Sequence, residues 1–222
     1  MRRYLVIAVL VLLAACSQQP KTTAGLGQEM PLQAKPGDLS GNTLVYRAPD
    51  LDPRKYRGLY IAPVGVYDGT DTEWGGTDMA TRQRVAARLG TEVQRALRAK
   101  GAIVLATPAP GSVTVELTLA GITSTHGVAA NALKVTPIGF GLTLMKSAAG
   151  LPASFTGSIT VAGKLLDSRT HEVLAGFVSK ESPTALDPRT LGGTEETAML
   201  AATKAADDFA AAVARARQAA MP

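Results

Sequence analysis

"VTVELTL", residues 113–119, sets Val113, Val115, Leu117 and Leu119 in strict alternation with Thr114, Glu116 and Thr118. A period of two is the signature of a β-strand, with one face buried and one able to meet water. A strand of this kind needs partners, and the chain supplies them on both sides. Downstream, Phe155, Gly157, Ile159, Val161 and Leu165 alternate with Thr156, Ser158, Thr160 and Lys164. The polar stretch "DSRTHE", residues 167–172, then leads into Val173, Leu174, Phe177 and Val178, which predicts a hairpin. Upstream, shorter strands are expected over residues 59–64 and 102–106.

Between those two short strands the period changes. Val85, Leu89, Val93 and Leu97 form one helical stripe within residues 81–100, and Gly101 ends it. From residue 194 to 218, Met199, Ala202, Ala206, Phe209 and Val213 step by threes and fours, predicting a second, alanine-rich amphipathic helix. The order of elements implies an α/β (α+β) fold: a mixed, mainly antiparallel sheet of about five strands with two or three helices packed on one face.

The N-terminus reads differently. Arg2 and Arg3 precede an uncharged apolar run from Leu5 to Leu13, then Ala14, Ala15 and Cys16. Charged, then apolar, then small residues is the order of a secretory signal. A bilayer span needs roughly 20 apolar residues, and this run stops short at Ser17, Gln18, Gln19 and Pro20. Leu13-Ala14-Ala15-Cys16 resembles the lipobox of bacterial lipoproteins, in which the new N-terminal cysteine is acylated after cleavage. Cysteine suits that role because its thiolate is a nucleophile. Each buried methylene adds about 0.8 kcal/mol, so two or more chains anchor a protein firmly. Ser17, where an aspartate would retain such a protein in the inner membrane, implies sorting to the outer membrane.

The expected organisation is thus a signal peptide over residues 1–15, an acylated Cys16 with a flexible tether over 16–43, and a single periplasmic α/β domain over 44–222. The tether is expected from Pro20, Pro31, Pro36, Gly25, Gly27, Gly37 and Gly41 among polar residues. Loss of Arg2 and Arg3 lowers the formal charge from +5 to +3, too little for a nucleic-acid binder. Cys16 is the only cysteine, so stability rests on the apolar core.

Little in the chain suggests catalysis. His126 and His171 are the only histidines and both fall in expected loops, so no metal site and no cofactor are anticipated. There is no Gly-x-Ser-x-Gly elbow and no phosphate-cradling loop, and an enzyme is not expected. "DGTDTEWGG", residues 68–76, gathers Asp68, Asp71 and Glu73 without the spacing of an EF-hand. Trp74 in that loop is either a lid on the core or an anchor held out for a partner. Arg82, Arg84, Arg88, Arg95 and Arg98, with Lys100, make a basic helix surface opposed within the helix only by Glu92. It is either a solvated face or a contact for an acidic partner, with Arg84 and Arg88 as its central residues. "NALKVTPIGFGLTLMKSAAG", residues 131–150, is apolar and interrupted by Pro137, Gly139 and Gly141. It is either core or an exposed strip for a partner or lipid, centred on Phe140 and Leu142.

"DPRKYRGLYIAPV", residues 52–64, followed by the amphipathic helix, the alternating strand and "LLDSRTHEVLAG", residues 165–176, resembles the bacterial lipoproteins grouped as domain of unknown function 3313. The likeness rests on Tyr56, four residues before Tyr60, and on the hairpin turn that begins at Asp167. His171 stands where related turns carry Gly, which implies a side chain in a left-handed conformation. The resemblance brings no activity and no catalytic residues. The order of elements is also similar to small periplasmic domains of the curli secretion lipoprotein and the Tol-system propeller protein, which implies envelope assembly or secretion.

The combined expectation is an outer-membrane lipoprotein facing the periplasm, held by lipid on Cys16, whose non-catalytic domain contacts an envelope protein. The alternative is a carrier of a small apolar or lipid ligand.

Overall fold

The computed structural model describes residues 19–38, 40–123, 157–183 and 193–220. Cys16, Ser17, His126, Phe140 and Leu142, and with them the whole of 131–150, lie outside the described residues. The alternating stretch opens the longest strand, β6 (Ser112–Thr123). Val115, Leu117 and Leu119 are buried on one face, while Glu116 points to solvent. The hairpin forms as expected from β7 (Ser158–Asp167) and β8 (Val173–Glu181), and β7 runs antiparallel to both β6 and β8. β3 (Gly58–Ile61) pairs parallel with β6 on one side and with β5 (Val104–Leu105) on the other.

Three further strands were not anticipated. They are β1 (Gln33–Ala34), β2 (Thr43–Arg47) and β4 (Gly65–Val66), and they complete an eight-stranded sheet in the order β1-β2-β8-β7-β6-β3-β5, with β4 beside β6. The sheet is mixed: the four pairings from β1 to β6 are antiparallel and those of β3, β4 and β5 are parallel.

Two long helices cover one face. α2 (Met79–Ala99) begins where the Asp78 carboxylate accepts the Thr81 amide at 2.8 Å, and Gly101, at φ 73°, turns the chain after it. α3 (Thr194–Ala219) runs beside α2 in the same direction, as the pairs Arg84 with Glu195 and Arg95 with Asp207 require. Its buried alanines, Ala198, Ala201, Ala202, Ala205, Ala206 and Ala210, bring the two helices close, and Val85, Leu89, Val93 and Leu97 fill the space down to the sheet.

The opposite face is where the sequence reading needs correction. The tether expected through residue 43 is instead part of the fold from Thr22 onward. α1 (Leu26–Glu29) lies across the second face, and Leu26 and Met30 are buried against Ala120, Ala162 and Val178. β1 then pairs with β2, and the Asp38 carboxylate ties the connection through the amides of Ser40 and Thr43. The physical reason is a row of small residues. A Cβ on Gly176 would lie 2.1 Å from the Met30 sulfur, so the glycine makes the socket into which Met30 fits.

At the β7–β8 turn, Asp167 Oδ1 accepts the amides of Arg169 and Thr170 at 2.8 and 2.9 Å, and His171 has φ 60°. The left-handed conformation inferred from the missing glycine is therefore present. A β-carbon there costs about 1 kcal/mol. His171→Gly is expected to raise thermal stability by about that amount or less, since glycine also loses more freedom on folding. A lower Tm for the variant would show that the imidazole contributes more than its backbone costs.

Candidate functional site

Two helices, each about 10 Å across, cover about four strands at a spacing near 4.8 Å. The sheet is wider than that, and α3 packs over β7 and β8 while α2 packs over β6, β4 and β5. Among the described residues nothing roofs the helix-side face of β2 and the outer part of β8. A cleft of about 730 Å³ results, walled by α3 on one side and β2 on the other.

Its floor is apolar. Leu89, Val93, Leu117 and Val161 form the bottom, each at most 3% exposed. Val45, Leu165, Phe177, Phe209 and Val213 rise as half-buried walls. The pairing of Val45 with Phe177 and of Gly163 with Phe177 puts these positions on one side of the sheet. A Cβ on Gly163 would meet the Phe177 ring at 2.3 Å, so the glycine lets that ring lie flat over β7. Phe177 stacks on Phe209 of α3 with centroids 5.6 Å apart.

The end of the cleft nearest the start of α3 is polar and closed on itself. Buried Glu181 accepts from Ser179 Oγ at 2.5 Å and from Lys204 Nζ at 3.0 Å. Lys204 also donates to Asp208 at 2.5 Å, and Thr43 Oγ1 lies 3.0 Å from Ser179 Oγ. Burial opposes the Lys204 charge, but the carboxylates of Glu181 and Asp208 outweigh it and hold its pKa above the ordinary lysine value. At the other end stand Arg47 of β2 and Arg215 of α3.

Of the residues singled out in the sequence, Trp74, Arg84 and Arg88 are described and fall elsewhere. Trp74 is half-buried against the main core, with the Arg82 guanidinium 4.4 Å above its ring and Arg82 fixed in turn by the Thr77 carbonyl. Of its two readings, the lid fits. Its loop docks on a bulge in β6, where Ile122 N donates to Glu73 O at 2.8 Å and Thr72 Oγ1 donates to Ala120 O. The acidic residues of that loop hold the N-terminal segment: Asp71 accepts from Thr22 and Tyr67 at 2.7 and 2.8 Å, and Glu73 pairs with Lys21.

Arg84 and Arg88 are not unopposed. Glu195 takes Arg84 in a two-pronged bond at 2.8 and 2.9 Å, and buried Glu92 lies between Arg88 and Arg95 at 2.9 and 2.6 Å. Glu195 and Asp207 of α3 and Glu92 thus neutralise the Arg84, Arg88 and Arg95 part of the basic face.

Tyr56 and Asp167, on which the likeness of the sequence rested, meet across the fold: the Tyr56 hydroxyl donates to Asp167 Oδ2 at 3.2 Å. The profile described as "Protein of unknown function (DUF3313)" matches residues 24–213, from the N-terminal segment on the second face to the cleft wall of α3. The chain belongs to the DUF3313 family. In this family member the matched range begins inside the segment read from sequence as a tether, in keeping with its place in the fold.

Among curated proteins none matches the chain. Among solved structures, a PelC dodecamer from Paraburkholderia phytofirmans is 12% identical with a TM-score of 0.41, over 74% of this chain and 94% of that one. A DUF330 protein from Xanthomonas campestris is 15% identical with a TM-score of 0.43, over 78% and 92%. A DUF4136 family protein from Bacteroides thetaiotaomicron is 12% identical with a TM-score of 0.36, over 78% and 97%.

Asp167 also gives a pH prediction. The amides of Thr170 and Arg169, aided by Tyr56, hold its pKa below the ordinary carboxylate value despite some desolvation. A depressed folded-state pKa adds stability above the unfolded value, near pH 4, and that stability is lost as the pH falls through the folded one. Asp167→Ala is therefore expected to have a lower Tm than the parent at pH 6. The gap should narrow below about pH 4. A gap independent of pH would mean that the carboxylate charge is not what the turn uses.

Proposed function

We propose that the protein is a lipid-anchored binding protein of the outer membrane, facing the periplasm, that holds a small apolar ligand without turnover. The observation that carries this reading is the cleft. Its volume falls in the range of roughly 300–1,000 Å³ typical of ligand sites, and its floor and walls are built from aliphatic and aromatic side chains. No histidine or cysteine lines it among the described residues, and its two serine–carboxylate pairs are both engaged, Ser179 with Glu181 by Lys204 and Ser40 with Asp38 by the amides of Ser40 and Thr43. The ligand role is preferred to protein contact through Trp74, Arg84 and Arg88, because those side chains are already engaged by Arg82, Glu195 and Glu92.

The anchor follows from the Leu13-Ala14-Ala15-Cys16 stretch. No helix among the described residues is long and apolar enough to cross a membrane. With Thr22 already bound to Asp71, the six residue-to-residue steps from Cys16 span at most about 20 Å. The domain would stay near the bilayer and not swing clear of it.

Two measurements test the reading. Cys16→Ser should lose labelled palmitate and leave the outer-membrane fraction; retention of both would refute the anchor. The chain from residue 17 onward, which contains every described residue, should bind an apolar fluorescent dye saturably, near one per chain; weak, unsaturable uptake would refute the ligand role.

A further inference from the structure

Resting on that reading of the cleft, the geometry points to a narrower ligand class: a single-chain amphiphile with an anionic head, in the manner of a long-chain carboxylate, its chain in the trough and its head between Arg47 and Arg215.

The two ends of the cleft differ in what they can offer a polar group. At the Lys204 end Lys204 sits between Glu181 and Asp208, Ser179 is committed to Glu181, and Lys35 is offset by the nearby Asp38 carboxylate. A head group there would have to break that network. At the other end both cations line the cleft with no carboxylate partner among the described residues. Arg47 gives one Nη2 bond to the Leu51 carbonyl at 3.1 Å, and Arg215 has no hydrogen bond or ion pair among the described residues. Both side chains belong to exposed residues. The acidic residues nearest Arg47 in sequence, Asp50 and Asp52, do not line the cleft, and Asp52 is bound to Arg54.

Arg54, Arg84, Arg88 and Arg95 hold carboxylates, and Arg82, Arg98 and Arg217 bond to carbonyl oxygens, whereas the two arginines at the mouth of the apolar trough have no carboxylate partner among the described residues. They come from opposite walls at the same end of the sheet: Arg47 pairs with Ala175 near the start of β8, and Arg215 lies in the last turns of α3, close to Arg217, which reaches Gly101 after α2.

The trough between the ends suits a hydrocarbon chain better than a peptide. From Lys204 to Arg215 α3 advances about 16 Å. Over that length the floor presents Leu89, Val93, Leu117, Val161 and Phe177, with no side-chain donor or acceptor to meet a peptide backbone. The edge of β2 that a peptide strand would join is partly occupied by β1. An acyl chain asks for no hydrogen bonds, and its anionic head meets guanidinium groups that are weakly hydrated and forked.

The test compares a fluorescent long-chain fatty acid with the matching primary alcohol on the chain from residue 17 onward at low salt. The acid should bind at least tenfold more tightly. Arg47→Gln with Arg215→Gln should bring the acid to the affinity of the alcohol and leave the alcohol unchanged. Since both arginines are exposed, the pair should keep the parent Tm. Ala212→Trp, which fills the trough from α3, should weaken both probes. Equal binding of acid and alcohol, untouched by the arginine substitutions but weakened by Ala212→Trp, would overturn the head-group assignment and leave the cleft reading standing. Binding of neither probe, or binding that Ala212→Trp does not affect, would overturn both.

Discussion

Removing residues 19–34 is expected to destabilise the domain by about 3–5 kcal/mol and to promote aggregation, though the sequence reads these residues as a leash. Leu26 and Met30 are 6% and 4% exposed, and each such side chain contributes about 1.5–3 kcal/mol by leaving water. Their loss uncovers Ala120, Ala162 and Val178 together with the half-buried rings of Tyr46 and Tyr67, an apolar patch on the second sheet face. A local version avoids truncation. Gly176→Val places side-chain atoms where the Met30 sulfur sits, so it should be costly in the parent and much less so after Met30→Ala. Additive effects of the two substitutions, or a truncated chain with the parent Tm, would mean that the segment does not seat on the sheet.

The second large effect is expected at the cleft. Ala175→Phe from β8 and Ala212→Trp from α3 each add a ring at the rim of the trough, and neither position lies in the buried core. Combined, they should lower apolar-ligand affinity by tenfold or more with little change in Tm, because they occupy the ligand's volume without disturbing the floor. Leu89→Ala is the informative contrast. It removes a fully packed side chain and should cost about 2–5 kcal/mol of stability, so its effect on binding would be a consequence of the core. If the rim substitutions cost as much stability as Leu89→Ala, the trough is packed core and not an open site.

Much of the fold is legible in the chain because its long elements repeat one period over many residues. β6, the β7–β8 hairpin, α2 and α3 all fall within a few residues of their expected limits. β1, β2, β4 and α1 were not legible, and the cause is physical. Two-residue strands hold no period, and α1 is four residues long between Gly25 and Met30. The glycines and prolines of residues 20–41 read as flexible, yet Gly25, Gly37 and Gly41 all take positive φ in tight turns. The surviving sequence cue is Leu26 and Met30, one helical turn apart.

The cleft was hidden for a related reason. Phe177 and Phe209 read as core positions, and half-buried walls share the hydrophobic pattern of a core. Only the number of strands set against the width of two helices shows that part of the sheet face has no roof among the described residues. The arginines of α2 misled in the other direction, since their partners Glu195 and Asp207 lie far along the chain on α3. Residues 131–150, expected to form the site in the apolar-ligand alternative, lie outside the described residues; the described lining of the cleft comes from β2, β6, β7, β8, α2 and α3.

The most direct measurement of the central claim is photocrosslinking of a diazirine-bearing fatty acid to the chain from residue 17 onward, followed by mapping of the modified peptides. The cleft predicts adducts concentrated in residues 43–51, 175–183 and 204–216, suppressed by excess unlabelled fatty acid and by Ala212→Trp. Adducts spread evenly over the surface, or concentrated on the second sheet face around Leu26 and Met30, would contradict it.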